Sequence, residues 1–322
     1  MSRYLDSIPQ PWSQEVIQKA IFDNFMEARA SIEDTNGGRL WRRLGELDDT
    51  IWIFQYGVTD LLDEICLFGE RSKNLEFWHR VNADEAEVHT RAVKRKLFNC
   101  TSALMTLVDH ARNFQRQTPV HDYNEKLKEE FSSPGLHEFM KCLRNYNTHW
   151  RIAQTNWVIT QNFKEKKREA RFQVTKEELL SWSGWNAGAR TFIDKSDGAI
   201  DVYKLFSGYR NHVQKFYAWH KGAVLDEYAG TLGPYLEHMR IYEGINKKLA
   251  WNMLISHAPK DANPYQYISR YLPKDRLERL LAYPHRSDEQ VDALIRMMDM
   301  EDFCDEKLRQ ALLSFFKLRN QA

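Results

Sequence analysis

Apolar residues recur at steps of three and four along most of this chain, which is the spacing of one face of an α-helix. Val16, Ile17, Ala20, Ile21, Phe25 and Ala28 make a first stripe, with Ser13 placed to cap it. Asn36-Gly37-Gly38 reads as the end of that unit. Thr50 to Tyr56 is rich in β-branched and aromatic residues, yet Leu61, Leu62, Ile65 and Leu67 continue it at helical spacing, so helix is favoured. The longest helix is predicted from Asn82 or Asp84 to about Gln115, with Val88, Ala92, Leu97, Cys100, Leu104, Leu107, Val108 and Ala111 inward. Thr118-Pro119 stops it. A short helix is predicted over Asp122–Phe131, then a Ser-Ser-Pro-Gly turn at 132–135. Leu136, Phe139, Met140, Leu143, Tyr146/Asn147 and Trp150 then share one more helical face.

The pattern changes after Trp150. Asn156–Thr160 and Ala170–Val174 alternate with a period of two, and predict a β-hairpin whose tip carries Lys164, Glu165, Lys166, Lys167 and Arg168. Such a tip is either a solvated turn or a finger that grips phosphate. Thr175-x-x-Glu178 has the form of a capping box. Helical spacing returns from Ile200 through Leu205, Phe206, Tyr209, Val213, Phe216, Tyr217 and His220. Gly233-Pro234 reads as the start of the next helix. Pro264, Pro273 and Pro284 divide the segment beyond it into short helices, Ser287 caps another, and Asp305–Arg319 is amphipathic. The fold class is mainly α, with an inserted hairpin near 155–175. A soft boundary near Asp194–Gly198 divides the chain into 1–194 and a C-terminal helical region, 195–322.

Composition narrows the function classes. Hydrophobic residues make up 43% and aromatic residues 13%, ample for a real core. The formal net charge of +1 excludes a strongly basic nucleic-acid binder, so any RNA contact has to be a local patch. Arg91, Lys94, Arg95 and Lys96 form one such cluster, read first as a solvated helix face. Cys66, Cys100, Cys142 and Cys304 are scattered, as expected for reduced, buried thiols. Neither a leader peptide nor an apolar run of about 18–20 residues is visible, so a cytoplasmic protein without a membrane span is expected. Phosphate-binding glycine loops, a Gly-x-Ser-x-Gly elbow and zinc-ligand spacings are all missing, so neither metal nor cofactor is expected. Trp150, Trp157, Trp182 and Trp185 stand close in sequence and read as core, with base stacking as the alternative.

The candidate chemistry lies in Leu143-Arg144-Asn145-Tyr146-Asn147-Thr148-His149-Trp150. Arginine supplies a permanent planar cation that fits phosphate. Histidine both takes and gives a proton near neutral pH. Asn145 and His149, four apart, fall on one side of a helix, and the long stem of Arg144 lets its head swing round. Two other arginine–histidine pairs occur at similar spacing, Arg116–His121 and Arg279–His285, but Pro119 and Pro284 interrupt them.

Arg144, Asn145 and His149 resemble the signature of the HEPN superfamily, an Arg with a polar neighbour followed after four to six residues by His. The resemblance spans Ala83 to Trp150, the preceding long helix included. It implies an HEPN-like helical bundle and a metal-independent endoribonuclease. In that reading His149 is the general base or acid, Arg144 stabilises the charge on the phosphorane, and Asn145 positions phosphate or His149. It also implies a homodimer that supplies two histidines to one cleft, and a setting of toxin, antitoxin or phage-defence partners. Inactive members imply the alternative: a non-catalytic RNA- or nucleotide-binding or protein-interaction module. A helical scaffold without a ligand is the third reading.

Overall fold

The computed structural model describes residues 3–153, 156–162, 167–259 and 263–318, with the side chains of Asn156, Asn162, Lys167 and Leu318 outside that description. It is mainly helical with a small antiparallel sheet. Two compact units are present, 1–39 with 230–322, and 40–229. The division expected near 194–198 therefore falls inside one unit. Its physical reason is long-range packing: the first helix shares a core with the last third of the chain, which no local pattern announces.

In the first unit, α1 (Gln14–Glu33) buries Ile17, Ile21 and Ile32 with Tyr235, Ile241 and Tyr242 of α9 (Ala229–His257). Ser13 caps α1 as predicted, accepting from the Val16 amide. Pro234 lies inside α9 instead of starting it. Asn36-Gly37-Gly38, read as an end, is the first turn of α2 (Asn36–Arg71). A Cβ at Gly37 would strike the Thr231 carbonyl, and one at Gly38 the Glu33 carbonyl, so both positions need glycine for close approach. Further on, Trp251, Leu280, Leu294, Leu308, Leu312 and Phe316 form a second core with α10 (Lys274–Leu281), α11 (Asp288–Met297) and α12 (Glu306–Leu318).

In the second unit, α2 continues from Leu40 beside α3 (Ala83–Gln117). The ambiguous 50–56 stretch is helical. Arg43 bonds to Gln117, Thr50 to His110, and Glu64 to Lys96 and His89, so the two helices run antiparallel. Lys96 thus turns inward between Asp60 (3.0 Å) and Glu64 (2.7 Å), so it does not lie on the solvated face expected for its cluster. Burial alone would raise the Glu64 carboxyl, but the hydrogen bonds from Lys96 and His89 outweigh it and hold it below the usual range.

A short α4 (Tyr123–Glu130) leads to α5 (Leu136–His149), which carries the predicted stripe. Leu136, Phe139, Met140, Leu143, Tyr146 and Asn147 are buried as expected, while Trp150 is 53% exposed. A helix of this length is marginal alone, so its stability comes from that buried face. Phe139 and Tyr146 stack on Trp185, at 5.3 and 5.4 Å between centroids. The hairpin, β1 (Asn156–Asn162) and β2 (Lys167–Thr175), pairs Trp157 with Phe172. Trp157 stacks on Phe68 at 3.5 Å and donates to the Thr90 hydroxyl, fastening the hairpin to α2 and α3. A third strand, β3 (Ala199–Asp201), adds to β2. Between the strands lie α6 (Lys176–Leu180) and α7 (Ala187–Lys195), and α8 (Val202–Glu227) closes the unit. Among the described residues, no helix is long and apolar enough to cross a membrane.

The start of α5 depends on one glycine. Gly135 precedes the helix with φ +78°, and a Cβ there would collide with the Gly188 carbonyl where α5 meets α7. Gly135→Ala is expected to cost at least about 1 kcal/mol from the left-handed backbone alone, read as a lower Tm in thermal unfolding.

Candidate active site

The last two turns of α5 set the geometry of the candidate residues. Tyr146 and Asn147 face the core, so Arg144, Asn145, Thr148 and His149 are left on the solvent side. Arg144 is half-buried, and Asn145 and His149 are exposed. Arg144 and Thr148 fall on one side of the helix, and Asn145 and His149 on the next. The Arg144 stem bends across the gap: its Nη1 donates to Asn145 Oδ1 at 3.2 Å. The cation thus leans toward the helix side that carries His149. Among the described residues, no hydrogen bond joins Arg144 to His149 directly.

Arg144 and Thr148 also line a groove of about 290 Å³ against α3, together with Ser102, Thr106 and Asp109. His149 does not line it. The groove offers one guanidinium and three hydroxyls, with Asp109 engaged by Arg112 at 3.6 Å. That set fits a ribose-phosphate backbone: a cation for phosphate, hydroxyls for sugar and phosphate oxygens.

What holds this helix end is buried beneath it. Tyr146 Oη donates to Glu178 at 2.7 Å, and Arg151 donates to the other Glu178 oxygen at 2.7 Å. Burial first, then the Glu178 carboxylate, pushes the Tyr146 hydroxyl up to about 12, so it stays a donor. Asn147 Oδ1 accepts from the buried Ala153 amide at 3.1 Å, and its Nδ2 donates to Thr101. Glu178 was legible only as a capping residue: the Thr175 hydroxyl does accept from the Glu178 amide, but the carboxylate meets Tyr146 and Arg151. Nothing local in sequence connects residues 32 apart.

Two asparagines two positions apart therefore have opposite roles. Asn147→Ala is expected to strand the buried Ala153 N–H and to cost about 1–3 kcal/mol in urea unfolding. Asn145→Ala, at an exposed position, is expected to leave the unfolding midpoint unchanged.

The hairpin residues are placed unevenly. Lys164 and Lys166 lie outside the described residues, and of Lys167 only the backbone, paired with Asn162, is described. Arg168, paired with Gln161 at the tip end of the hairpin, stacks its guanidinium over Trp78 at 5.0 Å, with Nε buried and unpartnered, so it braces that end of the hairpin. Trp185 is a core residue as read and Trp157 is half-buried against Phe68, whereas Trp150 stands open beside His149. Arg210 donates to Thr59 and His212 bonds to Glu130, which makes both of them interhelix contacts.

A second arginine and histidine, invisible as a sequence motif, meet across α2 and α3. Arg43 and His110 line a pocket of about 310 Å³ with Glu46, Asn113 and Gln117. The Thr50 hydroxyl donates to Glu46 O and so accepts from His110 Nδ1 at 2.9 Å, which leaves Nε2 as the acceptor. Glu46 places a carboxylate in this pocket, as Asp109 does in the groove beside Arg144.

All four cysteines are free, and burial pushes the Cys100 thiol up to about 12, which keeps it a thiol. Among the described residues, no group of three His, Cys, Asp or Glu side chains is placed to hold a metal. No family model matches the chain, and no curated protein or solved structure matches it either.

Proposed function

We propose that the chain is an HEPN-type endoribonuclease that cleaves RNA without a metal ion, through Arg144, Asn145 and His149. The observation that carries this reading is the Arg144–Asn145 hydrogen bond. It draws a guanidinium toward the imidazole's side of a solvent-facing helix end.

In the proposed reaction an imidazole takes the proton of a ribose 2′-hydroxyl. The 2′-oxygen attacks phosphorus, and the bond to the 5′-oxygen breaks. A second imidazole protonates that oxygen. Arg144 neutralises charge that builds on the phosphorane. The attacking 2′-oxygen and the leaving 5′-oxygen lie on opposite sides of phosphorus in an in-line displacement, so one imidazole does not easily reach both, and two copies of α5 supply the pair. The products are a 2′,3′-cyclic phosphate and a 5′-hydroxyl. Within this proposal, an RNA target and an inhibitory or defence-system partner form the setting.

The test is incubation of the full chain with a labelled single-stranded RNA in EDTA, and then end-group analysis. Cleavage with cyclic-phosphate ends is expected. Binding without cleavage would replace the nuclease with the non-catalytic module, and neither would remove both.

A further inference from the structure

The C-terminal third contains a cavity that the nuclease reading does not use. It has a volume of about 780 Å³ and is lined from the end of α9, from residues 263–271 and from α11 and α12. That size lies within the roughly 300–1,000 Å³ of small-molecule sites.

Its wall is aromatic. Trp251 is buried in it, tilted 43° from Tyr271 at 5.8 Å and 48° from Phe316 at 6.4 Å. Tyr267 and Tyr271 line the same space and are 44% and 47% exposed. Among the described residues, none that lines it is Asp, Glu, Lys or Arg. These walls suit an uncharged group, because an unpaired buried charge is costly.

Three hydrogen-bonding side chains complete the lining. His257 Nδ1 donates to the Met253 carbonyl at 2.9 Å, which leaves Nε2 to bond with an entering group. Asn263 Oδ1 caps the next turn by accepting from Tyr265 N, which leaves its NH₂ as a donor. Gln266 is exposed and offers one of each. An alkyl chain would cover these groups without replacing their bonds to water. A flat ring with donors and acceptors on its edge satisfies both wall and rim.

From this we infer that the cavity binds a purine base, with aromatic side chains against its faces and His257, Asn263 and Gln266 at its edge. The Arg270 guanidinium, stacked on Tyr267 at 5.0 Å and outside the lining, meets the phosphate of a nucleotide. The inference stands on this cavity alone and does not depend on the nuclease reading.

The experiment is calorimetric titration of the full chain with adenosine, guanosine, AMP, GMP, hexaadenylate RNA and octanoate. Saturable one-to-one binding of at least one purine is expected. Gln266→Ala and Tyr267→Ala, both at exposed positions, weaken it at least tenfold, while His149→Ala leaves it unchanged. Circular dichroism and Tm confirm that each variant is folded. Nucleotide binds more tightly than nucleoside, and Arg270→Ala removes that difference. Hexaadenylate tighter than AMP in the His149→Ala chain, and weakened there by Tyr267→Ala, assigns the base to an RNA strand; otherwise the ligand is a free nucleotide. The inference is overturned if no purine binds at millimolar concentration, if the two variants bind as wild type does, or if octanoate binds more tightly than every purine.

Discussion

Replacing His149 by alanine is expected to slow RNA cleavage by about 10²–10⁴-fold, the usual contribution of a positioned acid–base group. Arg144→Ala is expected to cost about 10²–10³-fold, as when one charge-stabilising donor is lost. Arg144→Lys is expected to recover little of that, because an ammonium lacks the planar fork that holds two phosphate oxygens. The His149 change is expected to leave Tm unchanged, because the imidazole is exposed and, among the described residues, makes no hydrogen bond. Cleavage rates at fixed RNA concentration, with thermal unfolding alongside, check both halves. His110→Ala and Arg43→Ala serve as controls and are expected to cleave as wild type does. A loss confined to those two would move the chemistry to the pocket between α2 and α3.

The second large effect concerns pH. His137 bonds to the Tyr209 hydroxyl at 2.9 Å, and His220 is buried among Phe114, Tyr123 and Phe216 with its Nε2 unpartnered. Burial pushes both imidazoles down to about 4, with Lys141 adding to the effect at His137. A folded-state value below the unfolded one, about 6.5, means the unfolded chain takes up protons first. Stability from these groups is therefore complete above about pH 6.5 and falls as pH drops toward 4. A difference of this size corresponds to about 3 kcal/mol for each group. Urea unfolding at pH 7 and pH 4.5 is expected to show the loss, and His220→Phe is expected to remove about half of it. An unfolding midpoint that does not change over this range would show that neither imidazole is buried neutral. Glu64, held low by Lys96 and His89, acts further down the scale, where its stabilisation disappears as the carboxylate protonates.

Local pattern and long-range packing explain how much was legible in the chain. The buried face of α5 came from its three-and-four spacing, and the hairpin from its period of two. At 50–56, β-branched and aromatic content argued for a strand, but burial of Phe54 and Val58 in the same stripe as Leu61 keeps the segment helical. β3 has only three residues, too few to show a period. The union of residues 1–39 with 230–322 rests on contacts between segments some 200 residues apart, such as the Trp12 amide to His238 at 3.1 Å. The same limit hid the Tyr146–Glu178–Arg151 bonds that hold the end of α5. Arg144, Asn145 and His149 were readable as a motif, yet their spacing alone placed Arg144 on a different side from His149. Only the bend of its stem toward Asn145 narrows that gap.

The central claim, that Arg144 and His149 act on one phosphodiester supplied by two copies of α5, is tested most directly by a mixed pair. Wild-type and His149→Ala chains, coexpressed with different tags and purified as the mixed species, hold two arginines but only one histidine between them. This species is expected to cleave RNA at least about tenfold more slowly than wild type, because one of the two acid–base groups is missing. A mixed species that keeps half or more of the wild-type rate, as two independent sites would give, would contradict it.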